Sequence, residues 1–240
     1  MPLPRYVVAE ALDELAPGDP QAQDSRRDLR RIHRAMGSLS SLKHAIGRLS
    51  MARRPTTFIE LGAGDGSLML RLARALGPAW SGVQLTLLDR QRIVDPGTLR
   101  AFDLLGWHAT VVCEDALEWA RAADGARYDL CCISLFLHHF DDQSLEGLLG
   151  GIARRCDALI AIEPRRDALA TVGSRLVGLL GANAITRGDA IKSVAAGFTA
   201  REISARWPTG AGWWTDEFRD WPFSHVFLAI RLRAREASMP

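Results

Sequence analysis

The stretch FIELGAGDGSLMLRLAR, residues 58–74, constrains the fold more than any other part of the chain. A short apolar run carries an acid, Glu60, then Gly62, Gly64 and Gly66 follow, and a helical pattern starts at once. Glycine at a strand–helix joint costs conformational entropy, so three of them this close imply that the backbone must be bare there. Two readings account for that. Either the turn carries a ligand against the main chain, or the glycines only satisfy turn geometry. The motif alone does not choose between them.

The rest of the chain supplies the frame. With 240 residues, 48% of them apolar, one α/β domain with added pieces can bury a full core. Residues 1–55 are polar and helical and read as an N-terminal cap, with the main domain at 56–240. Within the cap, Leu29, Ile32, Met36 and Leu39 recur at helical spacing, so it has a face to bury. Pro55 punctuates, and strands alternate with helices from there. The predicted strands are 56–61, 83–88, 107–113, 128–134 and 158–162. Helices are predicted at 67–76, 96–105 and 116–122, and from Asp141 or Asp142 to residue 155. Helical patterns return at 166–180 and 189–196. Two more strands, 201–206 and 225–232, are joined by a connection rich in Gly and Trp. Five β–α steps give a doubly wound, mostly parallel sheet with its ligand at the carboxyl ends of the strands. The glycine turn ends the first strand, and that location favours the ligand reading.

Charge and cysteine usage narrow the partners. The net charge is +2, so no strong global field calls for a polyanion. Between Ser25 and Arg54 there are nine Lys or Arg against one acid, Asp28. Arg27, Arg30, Arg31 and Arg34 share much of one helix face, which raises an RNA-binding protein or RNA methyltransferase as an alternative. A charge run is usually a solvated face, and no recognised RNA module is present, so no nucleic acid is expected. Cys113, Cys131, Cys132 and Cys156 lie in apolar segments without metal-ligand spacing. They read as reduced core residues of a cytoplasmic protein. No apolar run approaches the roughly 18–20 residues needed to span a bilayer, and the N-terminus lacks a secretory pattern. A homodimer is left open.

The turn's chemistry separates the nucleotide ligands. A dinucleotide turn wants G-x-G-x-x-G, but here Gly66 follows Gly64 by two and Ser67 comes next. A NAD-binding oxidoreductase is therefore the second alternative. Glu60 stands where a pyrophosphate would lie; it repels an anion and welcomes a cation. A ligand with a positive group and little phosphate fits, and S-adenosylmethionine, with its ammonium and sulfonium, is such a ligand.

ELGAGDG resembles the first motif of the class I S-adenosylmethionine-dependent methyltransferases, and further motifs come after it in order. LTLLD puts Asp89, with Arg90 after it, where the family holds the ribose hydroxyls. CEDALEW puts Asp115 and Ala116 where the family meets the adenine amino group. YDLCCISLFLHHF resembles the fourth-strand motif between cofactor and acceptor, with Ser134 at its centre. The resemblance covers about residues 56–165. It implies a Rossmann-like seven-stranded sheet with an antiparallel C-terminal strand. It also implies cofactor contacts from Glu60, Gly62, Ala63 and Gly64 as well as from the residues just named.

The residues after the fourth strand bear on the acceptor. The Asp/Asn-Pro-Pro-Phe/Tyr clamp of amino-group methyltransferases is absent, and SLFLHH stands in its place. That resembles small-molecule O- or C-methyltransferases of the ubiquinone-biosynthesis type, with a small aromatic, quinol or polyketide-like acceptor. Only an acceptor that must lose a proton calls for a base. His138 and His139 are the candidates: either one of them, His139, takes the proton, or the pair packs locally and holds the loop. Asp141 and Asp142 are read as helix caps, and no metal is expected. Trp207, Trp213, Trp214 and Trp221 either form a lid over the acceptor or pack the final hairpin. Arg187 and Asp189 are candidates for orienting a polar end of the substrate.

Overall fold

The computed structural model describes residues 4–232 except 17, 50, 52, 123, 209, 211 and 221. Trp221 of the tryptophan group lies outside the described residues. Three helices come first, α1 (Ala11–Glu14), α2 (Pro20–Ala35) and α3 (Ser38–Arg48). The alternating part runs β1 (Thr57–Leu61), α4 (Ser67–Leu76), β2 (Gln84–Asp89), α5 (Pro96–Asp103) and β3 (His108–Cys113). It continues through α6 (Ala116–Arg121), β4 (Leu130–Ser134), α7 (Asp142–Arg155) and β5 (Ala158–Pro164). Helices α8 (Ala168–Leu176) and α9 (Ala184–Ala196) precede the hairpin β6 (Trp213–Asp220) and β7 (Ser224–Arg231).

The seven strands form one sheet in the order β3-β2-β1-β4-β5-β7-β6. Strands β1 to β5 are parallel, while β7 runs antiparallel to both β5 and β6. The strand order reverses between β1 and β4, so a crevice opens at their carboxyl ends. Strand β5 is buried along its whole length and β4 nearly so, as expected for central strands covered by helices on both faces. Two apolar layers flank the sheet, one around Phe58, Phe102 and Trp107, the other around Leu145, Phe198 and Phe227. Cys131, Cys132 and Cys156 belong to these layers, but Cys113 is exposed because β3 is an edge strand. Among the described residues no helix is long and apolar enough to cross a membrane.

Two boundaries depart from the sequence reading. Residues 201–206 are not a strand but a turn leading into a 3-10 helix, Ser204–Arg206. The Glu217 carboxylate of β6 takes the Ile203 and Ser204 N–H groups (3.1 and 2.8 Å), which withdraws them from any ladder. The first hairpin strand is instead WWTDEFRD. Strand β5 runs past Ile162 to Pro164 because β7 pairs with it throughout, Glu163 facing His225 in the register.

The helical stripe on α2 has a specific partner. Ile32 packs with Val177 and Ala182, and Leu29, Met36 and Ala190 join them, so α2 rests on the region of α8 and α9. The basic face is largely occupied: Arg30 pairs with Asp65 (2.6 Å), Arg31 with Asp28 (2.7 Å) and Arg27 with Asp24. Asp28 is the polar rivet. Its buried carboxylate accepts the Asn183 N–H (2.8 Å) at the start of α9 and bonds Thr186 Oγ1 (3.3 Å). Asp28→Ala should leave those donors unsatisfied and destabilise the fold by about 1–3 kcal/mol, read by urea unfolding. An unchanged midpoint would remove Asp28 as the link between the two helical segments.

Candidate active site at the carboxyl ends of the first and fourth strands

Strand β1 delivers the chain into the glycine turn, which Ala63 N–H closes on Leu88 O (3.0 Å). Gly62 and Gly64 have φ of 69° and 56°, the left-handed region that L side chains avoid. A Cβ on Gly62 would stand 2.5 Å from the Phe136 ring, so the loop after β4 can lie on the turn only because that side chain is missing. At Gly64 a Cβ would meet nothing within 4 Å. Turn geometry thus explains part of the motif, and the open flank of Gly64 faces a cavity.

That cavity, about 860 Å³, is lined by every residue expected on the cofactor side. Glu60, Gly62, Ala63, Gly64, Asp89, Arg90, Asp115, Ala116 and Ser134 all contribute, and so do His138 and His139. Asp89 fastens the turn to β2: its two oxygens accept the Gly64 and Gln91 N–H groups, each at 2.9 Å. Asp115 caps α6, accepting from Leu117 N (2.7 Å) and Glu118 N (3.3 Å), while still lining the cavity. Glu60 differs from both. It is 4% exposed, and its Oε2 has no hydrogen-bond partner. Burial, with Asp65 and Asp89 nearby, pushes its carboxyl well above the usual range.

The other end of the cavity is built by the loop after β4. Leu135 takes a φ of 54°, unusual for a side-chain-bearing residue, and its N–H bonds Ile162 O (2.8 Å). Glu163, fully buried, then collects the loop. Its Oε1 accepts Phe136 N–H (3.0 Å) and Leu137 N–H (2.8 Å), and its Oε2 pairs with His138 Nδ1 (2.7 Å). His138 Nε2 lies 3.4 Å from Glu10 Oε1. Burial lowers the basicity of His138, but the bonds and charges of Glu10 and Glu163 outweigh it and push the ring up to about 9. His138 is therefore a buried imidazolium. His139 is 21% exposed and its Nδ1 lies 3.0 Å from Asp13 Oδ2.

Glu10, His138 and His139 bring ligand atoms within 4.8 Å of one another, the one such grouping among the described residues. As placed, these side chains are held by ion pairs, His138 with Glu163 and Glu10 and His139 with Asp13. Asp141 caps α7 through Ser144 N–H (2.8 Å), and Asp142 pairs with Arg5 (3.1 Å) and Arg206 (2.6 Å).

At the acceptor end the structure separates readings the sequence left open. Trp207, Trp213 and Trp214 do not line the cavity: Trp207 packs edge-on to Trp213, ring centres 5.0 Å apart, and against Phe227 under the hairpin. The aromatic wall is Phe136, Phe140 and Phe223. Asp189 reaches the cavity but is engaged, accepting the Ala11 and Leu12 N–H groups (2.9 and 3.0 Å) at the start of α1, and Arg187 is not a lining residue. Reasoning from sequence missed Glu163, Glu10 and Asp13. For Glu163 the available signal was the acid just past the fifth apolar run; the other two look like ordinary helix acids.

The buried imidazolium ties stability to pH. His138 is raised from 6.5 to about 9, so its contribution is fully present below pH 6.5 and lost as pH rises through about 9. Urea unfolding should show a loss on the order of 3 kcal/mol across that window. His138→Gln should be less stable at the acid end and lack most of this slope; a flat wild-type profile would refute the charged pair.

No family model and no curated protein matches the sequence, but solved structures match the fold. A plantazolicin methyltransferase, BpumL, in complex with SAH aligns with TM-score 0.67 and 14% identity over 90% of this chain and 92% of its own. An O-methyltransferase family protein from Burkholderia thailandensis aligns with TM-score 0.61 and 18% identity over 90% of this chain and 61% of its own. LaPhzM aligns with TM-score 0.56 and 20% identity over 93% and 62%. Strand order, glycine turn and these matches agree: the chain has the fold of the class I S-adenosylmethionine-dependent methyltransferases.

Proposed function

We propose that the protein is an S-adenosylmethionine-dependent methyltransferase acting on an oxygen or carbon of a small aromatic, quinol or polyketide-like acceptor. The observation that carries this reading is Glu60, a buried carboxylate with one unpartnered oxygen beside the open flank of Gly64. An ammonium supplies the missing partner and favours the ionised acid. A pyrophosphate would add negative charge next to Glu60, Asp65 and Asp89, which weighs against a dinucleotide. Neighbours of the same fold support the reading, one named for plantazolicin methylation with SAH bound and one for the O-methyltransferase family.

Each residue then has a task. Glu60 and the turn from Gly62 to Gly64 hold the amino-acid end, Asp89 and Arg90 the ribose edge, Asp115 and Ala116 the adenine, and Ser134 the centre. When bound, S-adenosylmethionine supplies an electrophilic methyl group. Phe136, Phe140 and Phe223 offer ring faces to an aromatic acceptor and exclude water. A phenol, with its ordinary pKa of about 10, gains from a base, and His139 takes that proton. His138, its ring centre 4.4 Å away and held between Glu163 and Glu10, fixes the loop that carries His139. Proton removal in this way asks for no metal. Residues 1–55 serve as a cap over a cofactor-binding domain that begins at 56.

A thermal-shift panel of S-adenosylmethionine, S-adenosylhomocysteine, NAD and RNA tests the class: the first two should stabilise the protein, and stabilisation by NAD alone would overturn it. Glu60→Gln keeps the shape and removes the charge. It should weaken S-adenosylhomocysteine by about 10- to 100-fold, the equivalent of roughly 1.5–3 kcal/mol, read by calorimetry. Unchanged affinity would discard the ammonium contact. With a confirmed phenolic acceptor, His139→Ala should lower turnover about 10²–10⁴-fold at nearly constant cofactor affinity. Equal rates would leave alignment alone as the source of acceleration.

A further inference from the structure

The segment before α2, residues 4–16, is tied to the rest of the fold along its length, Arg5 and Asp189 holding its two main anchors. Arg5 donates to Phe140 O (2.6 Å) and Ala196 O (2.9 Å), pairs with Asp142 and lies over the Phe198 ring. Farther along, Asp189 holds the start of α1 by two backbone N–H groups. The strap between and just beyond these anchors brings two carboxylates to the histidines, Glu10 to His138 and Asp13 to His139.

The two histidines are not equivalent. Nδ1 of His138 is committed to a fully buried Glu163, and its Nε2 faces Glu10. His139 meets a single carboxylate, that of Asp13. Burial raises the Asp13 carboxyl, but His139, Arg90 and His138 outweigh it and hold the group below its usual range. An ionised carboxylate accepts only, so Nδ1 of His139 carries the proton in this contact. In the neutral ring this contact leaves the lone pair on Nε2.

We propose that Asp13 is the positioning residue of His139, holding the ring as the Nδ1–H tautomer so that Nε2 is the atom that accepts the acceptor's proton. The inference rests on reading the cavity as a methyl-transfer site. In the step itself the acceptor O–H bond breaks, the proton passes to Nε2, and the electron pair stays on oxygen as the nucleophile. The groups facing His139 are Asp13 and the rings of His138 and Phe136, with Glu10 acting on it by charge and Arg90 acting on Asp13. A contact that fixes a tautomer supports general-base action without itself touching the substrate.

The test needs no acceptor. Long-range ¹H–¹⁵N spectra of ¹⁵N-labelled protein saturated with S-adenosylhomocysteine, at about pH 8, read the imidazole tautomers directly. Wild-type His139 should be the Nδ1–H form. In Asp13→Ala that fraction should fall by at least about twofold, Asp13→Glu should restore it, and the His138 signals should stay in place throughout. A wild-type Nε2–H form, or a tautomer unmoved in Asp13→Ala, would overturn the proposal. If Asp13→Ala does not fold, the wild-type spectrum and Asp13→Glu still decide. Failure of the wild type to bind S-adenosylhomocysteine would instead count against the cofactor reading, with the tautomer still legible in the free protein.

Discussion

The candidate site depends on one buried carboxylate. Glu163 has no contact with water, yet it carries a charge that four donors share: three backbone N–H groups of the loop after β4 and the His138 ring. An isolated carboxylate could not sit there, because its desolvation would drive it neutral. The loop supplies enough donors to keep it ionised, and its charge in turn keeps His138 protonated. Each half of the pair exists because of the other. Removing either would strand a buried charge, a far larger cost than the net worth of the pair.

The same anchor makes Leu135 tolerable. A left-handed side-chain-bearing residue stores strain, and it persists only where its surroundings over-determine it. Ile162 O holds the Leu135 N–H, and Glu163 holds the next three, so β5 dictates how the chain leaves β4. That exit angle lays Phe136 over Gly62 and turns both histidines toward the cavity. The glycine turn and the histidine loop are therefore one assembly, in which Gly62 is bare so that Phe136 can approach.

Much of this was legible in the residues, because the signals were local. Apolar runs of strand length, separated by helical periods and punctuated by Gly and Pro, located β1 to β5 to within a few residues. Gly62 and Gly64 stood out from their place at a strand end, whereas Asp89 and Asp115 were named through the resemblance of LTLLD and CEDALEW to methyltransferase motifs. What could not be read depends on distant pairing. The end of β5 was set by β7, more than sixty positions away in the register of Glu163 and His225, so Glu163 fell outside the predicted strand. Glu10 and Asp13 reach the histidines through tertiary anchors such as Arg5 and Asp189, far from them in sequence. The tryptophans stayed ambiguous because aromatic clustering in a loop suits a ligand or a core equally well, and Trp207 went to the core. The strand WWTDEFRD was hidden by its four charged residues, which suit an edge strand that must not recruit another.

The position of β7 has a consequence for how the protein is made. It lies between β5 and β6, so β5 remains an open edge until residues near Arg231 have emerged. The segment of β5 that bears Glu163 thus waits for a strand more than sixty positions later. Pairing across so long a sequence separation is slow to form. A ribosome-bound intermediate would carry a finished glycine turn and an exposed β5 edge, the kind of surface on which chaperones act. The loop that Glu163 holds should therefore order in one event, when the hairpin docks, rather than growing with the nascent chain.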